Sequence, residues 1–147
     1  MLMAELPLAV RMRWRPATGL WDRARWRPEE VSVDRADGIP DPVPDARMVK
    51  ADSRLLGGVM LQLYPDENDG YFENWAAPEP KIFLLWRVEN GEPSIVSASV
   101  SYSEGTRMLD SGDQADGILM PLEVHAWLGS YLLRHYEPPA RGKHNHG

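Results

Sequence analysis

The sequence of 147 residues contains no cysteine. A chain without thiols can form no disulfide bond, offers no thiolate nucleophile and cannot supply the cysteine ligands of zinc and iron–sulfur sites. It also has no apolar run of the roughly 18 residues that a transmembrane helix needs. Residues 1–5 lack the basic start and the apolar core of a secretory signal. We therefore expect a cytoplasmic protein that does not bind a membrane.

Well-known catalytic motifs are absent as well. The sequence has no Gly-x-Ser-x-Gly, no glycine-rich phosphate loop and no His-Glu-x-x-His. The acidic segments 66–70 and 110–117 resemble parts of calcium loops, but each puts a residue without a side-chain oxygen at the first ligand position. His144 and His146 lie in a terminal stretch that offers no further ligands. We predict no metal and no cofactor, and the role of His135 stays open between structural and catalytic.

Length and charge limit the remaining possibilities. A chain of this size buries roughly 70% of its extended surface, which is enough for one core, so we predict a single domain over residues 1–138 and a flexible tail over 139–147. The net charge is −6, yet residues 1–28 hold six arginines against two acidic residues. Because the basic region is small and the remaining chain is acidic, we do not expect a nucleic-acid partner.

The N-terminal region alternates with a period of two. Leu8, Val10, Met12 and Trp14 occupy every second position from residue 8, and arginines fill most positions between them. This pattern predicts a strand with one buried face and one arginine face. Residues 26–33 are expected to return as an antiparallel partner, in which Pro28 favours an edge strand or a bulge.

The next region is rich in proline and glycine. Segment 34–44 is predicted to be an exposed loop, and residues 47–51 a short strand. The two glycines at 57–58 indicate a bend or bulge before a stronger strand over 59–64. A polar turn is expected at 65–70.

The clearest local signal lies in the middle of the chain. Two apolar runs, 82–88 and 95–102, flank a segment that contains Asn90-Gly91. This dipeptide tolerates the positive φ angles of a tight hairpin turn. Because both faces of the first run are apolar, we expect the hairpin to lie within a sheet that is covered on both sides.

Helices are predicted only in the last third of the chain. Ser103 is expected to cap a short helix over 104–109, followed by a polar loop over 110–117. A longer, mostly apolar helix over 121–136 should pack on the sheet, with Leu122 and Leu133 widening its apolar side. The expected fold is therefore α+β, a mainly antiparallel sheet that can curl towards a barrel, with a C-terminal helix packed against it.

The best candidate surface for a partner combines arginine with tryptophan. Arginine and tryptophan side chains can bind acidic groups and stack on planar ones. The alternative is that the tryptophans belong to the core and the arginines pair with the acidic remainder of the chain. The candidate partner-binding residues are Trp21, Arg23, Arg25, Trp26 and Arg27, together with Asp110, Ser111 and Asp113 of the loop.

A resemblance covers roughly residues 6–138. It rests on Leu8-Ala9-Val10, Trp21, Trp26-Arg27-Pro28, the hairpin, Leu109-Asp110-Ser111-Gly112, Met120-Pro121 and residues 127–135. With these motifs in this order, the chain resembles the domain of unknown function 3305 family. Members of that family are commonly encoded beside molybdenum formate dehydrogenase genes in proteobacteria, and some carry a label that implies molybdopterin guanine dinucleotide synthesis.

The resemblance implies a context rather than a reaction. Our first hypothesis is a non-enzymatic accessory protein that binds a formate dehydrogenase subunit or maturation protein through the arginine–tryptophan surface. The alternative is a small-molecule binder or enzyme that acts on the molybdenum cofactor or its guanine nucleotide, with arginines holding phosphate.

Overall fold

The computed structural model describes residues 1–20, 25–35, 52–111 and 114–138. These residues form two three-stranded antiparallel sheets, three α-helices and one short 3₁₀ helix. The strands are β1 (Ala4–Arg15), β2 (Arg25–Val33), β3 (Ser53–Leu63), β4 (Lys81–Glu89), β5 (Glu92–Ser99) and β6 (Gln114–Leu119). The helices are α1 (Asn68–Trp75), which follows the 3₁₀ helix Pro65–Glu67, α2 (Tyr102–Asp110) and α3 (Leu122–His135). The predicted α+β class is confirmed.

The first sheet has the order β2-β1-β3 and is built on the alternating strand β1. Leu8, Val10 and Met12 are fully buried, as the period of two predicts, and Trp14 is half-buried at the end of the strand. In the partner strand, Pro28 lies opposite Met12 at a shift of register. Both expectations for Pro28 are therefore met, since β2 is an edge strand and carries a bulge.

Strand β3 begins earlier than predicted, at Ser53, and includes the two glycines. Gly58 has a φ of 69°, and the pairing with β1 shifts between Leu8 and Val10 at this point. A positive φ is easy for glycine, so the residue forms the predicted bulge without strain. The strand predicted at 47–51 and most of the proline-rich loop at 34–44 lie outside the described residues.

The second sheet has the order β5-β4-β6 and contains the predicted hairpin. Asn90 and Gly91 have φ angles of 54° and 80°, and Glu89 pairs with Glu92, so the turn has two residues of positive φ. Pro93 lies in the edge strand β5, where a missing donor is tolerated. Strand β4 is central, and its Phe83 is buried on the face opposite Ile82 and Leu84, as expected for a strand covered on both sides.

The prediction of a polar turn at 65–70 is wrong, because the chain there becomes the 3₁₀ helix and then α1. Glycine, asparagine and aspartate have low helix propensity, which hides the helix in the sequence. Tertiary packing stabilises it instead: Tyr71 and Asn74 are almost completely buried. The phenol oxygen of Tyr71 accepts a hydrogen bond from the backbone N–H of Tyr64 at 2.9 Å, and burial raises the pKa of the phenol.

Helix α2 begins at Tyr102, two residues earlier than predicted, and the residue before it, Ser101, is its cap. The Oγ of Ser101 accepts a hydrogen bond from the backbone N–H of Glu104 at 3.3 Å, so Ser101 and not Ser103 is the N-cap. The hydroxyl of Ser99 bridges the same turn, since it accepts from the N–H of Ser101 and donates to the carboxylate of Glu104. The expected strand residue Tyr102 is therefore helical.

The loop predicted over 110–117 is also corrected. Strand β6 begins at Gln114 and pairs antiparallel with β4, with Asp116 opposite Leu84 and Gly117 opposite Phe83. A short strand that contains aspartate and glycine has little strand propensity of its own. Its pairing with the central strand supplies the stabilisation that the local sequence lacks.

Helix α3 matches the prediction for 121–136 closely. Val124, Leu128, Tyr131 and Leu132 are buried against the rest of the domain. Leu122 and Leu133, however, are each 87% exposed and do not widen the packed side. His135 is exposed, its ring lies 4.9 Å from that of Tyr131, and its carbonyl accepts a hydrogen bond from Asn68.

The two sheets face each other across one hydrophobic core. Leu8 and Val10 of β1 and Ile82 and Leu84 of β4 lie in the same cluster, which Leu128 of α3 joins. Among the described residues, β3 lies beside β5 and β2 beside β6, but no ladder of backbone hydrogen bonds joins these neighbours. The sheets are therefore not closed into a barrel, and the predicted tail at 139–147 lies outside the described residues.

The identity of the α2 cap gives a first testable prediction. Replacing Ser101 by alanine removes an N-cap hydrogen bond and should lower the free energy of unfolding by about 1–2 kcal/mol. Ser103→Ala is the control, because Ser103 is exposed and does not cap the helix, and it should cost at most about 0.5 kcal/mol. Urea unfolding followed by circular dichroism measures both; equal losses would contradict the assignment of Ser101 as the cap.

Candidate binding site

A cavity of about 540 Å³ opens where the edge strands β2 and β6 approach each other. Three tryptophans and two arginines contribute to its wall, and one carboxylate lies among them. We call it the Trp–Arg cavity; its lining residues are Trp14, Arg25, Trp26, Arg27, Trp86, Val88, Gly91, Gln114, Ala115 and Asp116. Its volume lies in the range of ordinary ligand-binding sites, roughly 300–1,000 Å³.

Trp26 forms a fixed wall of this cavity. Its indole N–H donates to the carbonyl of Gly91 at 2.9 Å, and its ring meets that of Trp14 edge to face at a centroid distance of 5.5 Å. The guanidinium of Arg54 lies 5.3 Å from the ring centroid, within the range of a cation–π contact. Trp26 is thus a core residue, as the alternative interpretation of the tryptophans predicts, and it also lines the cavity.

Arg54 is itself held by a carboxylate. Its Nε and Nη2 donate to the two carboxylate oxygens of Glu92 at 3.0 and 3.1 Å. This paired geometry lowers the pKa of Glu92, chiefly through the hydrogen bond from Arg54, and raises that of Arg54. Two parallel hydrogen bonds orient a guanidinium better than one. Arg54 is therefore positioned over Trp26 and is not a free cation for a ligand.

Asp116 connects the two sheets at the cavity. Its carboxylate accepts a hydrogen bond from the indole N–H of Trp86 at 2.7 Å and pairs with Arg27 at 3.4 Å. The carboxylate thus orients one tryptophan and neutralises part of the charge of one arginine. Arg27 has a structural contact here, in agreement with the alternative in which the arginines pair with the acidic part of the chain.

Arg15 and Arg25 lie in a different environment. The two residues are directly opposite each other in the β1–β2 ladder, at the open end of the pair. Among the described residues, no carboxylate oxygen lies within 4.0 Å of either guanidinium, whereas Arg13, on the same strand, pairs with Glu29 at 2.6 Å. Like charges placed opposite each other on a sheet repel. This pair therefore concentrates positive charge beside the cavity.

The predicted site residues are only partly brought together. Arg25, Trp26 and Arg27 line one cavity, whereas Trp21, Arg23 and Asp113 lie outside the described residues. Asp110 and Ser111 are exposed at the end of α2 and are not part of the cavity wall. The hydroxyl of Ser111 donates to the carbonyl of Met108 in its own helix terminus.

The cavity wall also contains residues that the sequence does not predict as part of a site. Among them, Trp14 is expected on the buried face of β1, Trp86 in the central hairpin and Asp116 in a loop. The first two carry a weak signal, since tryptophans near strand ends often combine an apolar body with an exposed edge. Asp116 carries none, because its position depends on the register of β6 against β4.

The described residues narrow the kinds of site that the domain can offer. They contain no group of three or more metal-binding side chains that could hold an ion. In the same part of the chain, every helix is too short or too polar to cross a membrane. The Trp–Arg cavity stands out in this part of the chain because it combines aromatic walls with unpaired positive charge.

Comparison with known proteins gives one match. The family model described as "Protein of unknown function (DUF3305)" matches residues 7–145, which is nearly the whole chain. No curated protein and no solved structure matches the sequence.

Proposed function

The chain belongs to the DUF3305 family, and from this membership and the Trp–Arg cavity we propose that it is a non-enzymatic accessory protein of molybdenum-dependent formate dehydrogenase. In this proposal it binds a subunit of that enzyme, or a protein of its maturation, in the cytoplasm. The genomic setting of the family motivates the choice of partner, and the cavity motivates binding as the mode of action.

The observation that carries the proposal is the unpaired Arg15 and Arg25 beside three tryptophans. A pair of like charges across a ladder costs stability, and neither arginine has a carboxylate partner within the described residues. A partner that brings carboxylates to this position would neutralise both guanidinium groups and form charge-assisted hydrogen bonds. Tryptophan and arginine are also the residue types that dominate binding energy at protein interfaces.

The cavity is suited to a protein segment that combines acidic and apolar side chains. An apolar or aromatic side chain of the partner would enter the cavity and contact the apolar part of its wall, which includes Trp14, Trp26 and Trp86. Acidic side chains beside it would reach the arginines at the rim. The acidic remainder of this protein would repel such a segment elsewhere, so the binding position is selected by charge.

Reversal of the two unpaired charges tests the proposal directly. We expect the Arg15→Glu, Arg25→Glu double variant to recover at least about tenfold less formate dehydrogenase subunit or maturation protein than the wild type, since tenfold corresponds to a loss of only about 1.4 kcal/mol. The measurement is affinity capture of the tagged protein from its native cells under formate-utilising conditions, with quantitative mass spectrometry of the bound proteins. Arg27 is left unchanged, because glutamate there would repel Asp116 and disturb the fold.

A matched control separates this site from general charge effects. The Arg87→Glu, Arg134→Glu double variant changes the net charge by the same amount at exposed positions outside the cavity wall. It should retain capture, and both double variants should melt close to the wild type. Undiminished capture by the Arg15/Arg25 variant would overturn the assignment of this surface.

The aromatic wall of the cavity also favours a second candidate function. Tryptophan faces can stack on a nucleobase, and Arg25 can hold phosphate, so the cavity could take the guanine nucleotide of the molybdenum cofactor. GMP and GTP at about 1 mM should then raise the melting temperature of the wild type and not that of Arg25→Glu. Absence of any shift would argue against this alternative and leave protein binding as the proposal.

A further inference from the structure

A second and larger groove lies where the other pair of edge strands, β3 and β5, approach each other, on the side of the domain opposite the Trp–Arg cavity. It has a volume of about 730 Å³ and runs between β3 and β5, with Glu104 and Met108 of α2 completing its wall. Both strands are edges of their sheets, since the orders are β2-β1-β3 and β5-β4-β6. We call it the β3–β5 groove.

Side-chain contacts fix the groove at both ends. Near the start of both strands, Arg54 and Glu92 form the two hydrogen bonds described above. Just beyond the ends of the strands, the hydroxyl of Ser101 donates to the carboxylate of Glu67 at 2.7 Å. The two strands therefore run in the same direction, and the groove between them is formed before any ligand arrives.

The walls of the groove offer main-chain hydrogen-bonding groups. Within the described parts of the chain, β3 pairs only with β1 and β5 only with β4, so each keeps one edge free towards the groove. An edge strand presents a row of unpaired N–H and C=O groups that can pair with another extended chain. Gly58 adds space, because no atom lies within 4 Å of where its Cβ would be.

The side chains that line the groove are mostly apolar, with a single charge. Leu55, Met60 and Val96 are exposed at its rim. Glu104 is the one charged residue of the described lining, and its carboxylate accepts a hydrogen bond from Ser99 at 2.8 Å. No cation of the described residues lies within 4.0 Å of Glu104.

The negative charge of Glu104 favours a basic peptide over a second copy of this acidic chain as the occupant of the groove. A basic side chain would complement Glu104, whereas a second copy of this chain brings a net charge of −6. We propose that the β3–β5 groove binds an extended peptide segment of a partner protein, which pairs its main chain with one of the two free strand edges and places a lysine or arginine beside Glu104. This is binding by strand addition, in which main-chain hydrogen bonds give affinity and alternate side chains give specificity.

Synthetic peptides test the inference. The probes are acetylated and amidated heptapeptides that alternate threonine with valine, leucine or phenylalanine around a central lysine. Matched peptides carry glutamate in place of lysine, or N-methyl groups on alternate amides. Fluorescence anisotropy should show that at least one lysine peptide binds about tenfold tighter than its glutamate and N-methylated counterparts, which corresponds to about 1.4 kcal/mol for each change.

Two protein variants define the position of the peptide. Glu104→Gln keeps an acceptor for Ser99 and should remove the preference for lysine over glutamate peptides. Glu79→Gln is the control, since Glu79 is exposed and outside the groove, and it should keep the preference. The Arg15→Glu, Arg25→Glu variant should bind these peptides as the wild type does, which separates the groove from the Trp–Arg cavity.

Several results would overturn the inference. No binding by any lysine peptide at about 1 mM, equal binding of lysine and glutamate peptides, or undiminished binding after N-methylation would each contradict strand addition beside Glu104. A concentration-dependent dimer in sedimentation experiments, dissociated by Met60→Glu, would show that a second copy occupies the groove instead.

Discussion

Replacing Asn74 by alanine should lower the free energy of unfolding by about 3–4 kcal/mol, because three main-chain groups would lose their partner. Asn74 is only 1% exposed. Its Oδ1 accepts from the N–H of Lys81 at 3.0 Å, and its Nδ2 donates to the carbonyls of Lys81 and Val100 at 2.8 and 2.9 Å. One side chain therefore joins α1 to the start of β4 and to the segment that follows β5.

This loss of unfolding free energy is a large fraction of the total stability of a domain, which is typically about 5–15 kcal/mol. Equilibrium unfolding in urea gives the value, and Glu73→Ala is the matched control in the same helix, because Glu73 is exposed. The control should change stability by at most about 0.5 kcal/mol. A loss below about 1 kcal/mol for Asn74→Ala would mean that water replaces the amide, and the bridging role would be refuted.

The second large effect is expected at Gly105, where alanine should destabilise the protein by about 2 kcal/mol. In an exposed helix the same change would stabilise by about 1 kcal/mol, because alanine has the higher helix propensity. Here an added Cβ would overlap the ring of Phe83, which is 7% exposed. A Cβ at Gly117 would also lie 3.4 Å from that ring, so the ring is held between α2 and β6.

A double-mutant cycle isolates this contact. In a Phe83→Leu background the smaller side chain leaves space for the new methyl group, so Gly105→Ala should cost at least about 1 kcal/mol less than in the wild type. Thermal and urea unfolding of the four proteins supply the cycle. An additive result would show that the overlap with Phe83 is not what excludes a side chain at Gly105.

The Trp–Arg cavity and the β3–β5 groove differ in the sign of their unpaired charge. The Trp–Arg cavity has the unpaired positive charge of Arg25 in its wall and that of Arg15 beside it, whereas the β3–β5 groove has the unpaired negative charge of Glu104. Opposite charges at separate sites would let one partner protein bind in a single orientation, or let two partners bind together. The charge-reversal and peptide experiments distinguish these sites because each has its own variant.

The sequence alone is sufficient to predict structural features that depend on residues adjacent in the chain. The alternation of Leu8, Val10 and Met12 determines which face of β1 is buried. Asn90 and Gly91 determine the hairpin turn, since their tolerance of positive φ is a local property. Pro28 indicates an edge strand or a bulge in β2, because proline has no N–H to donate to the ladder, and β2 shows both.

Other features were decided only by the tertiary structure. Helix α1 and strand β6 have weak propensities of their own, and burial of Tyr71 and pairing with β4 stabilise them. The Trp–Arg cavity likewise depends on residues distant in sequence: the contact between Arg27 and Asp116 joins positions separated by 89 residues. No local pattern contains that contact, because the register of two sheets, and not the spacing of residues along the chain, brings its atoms together.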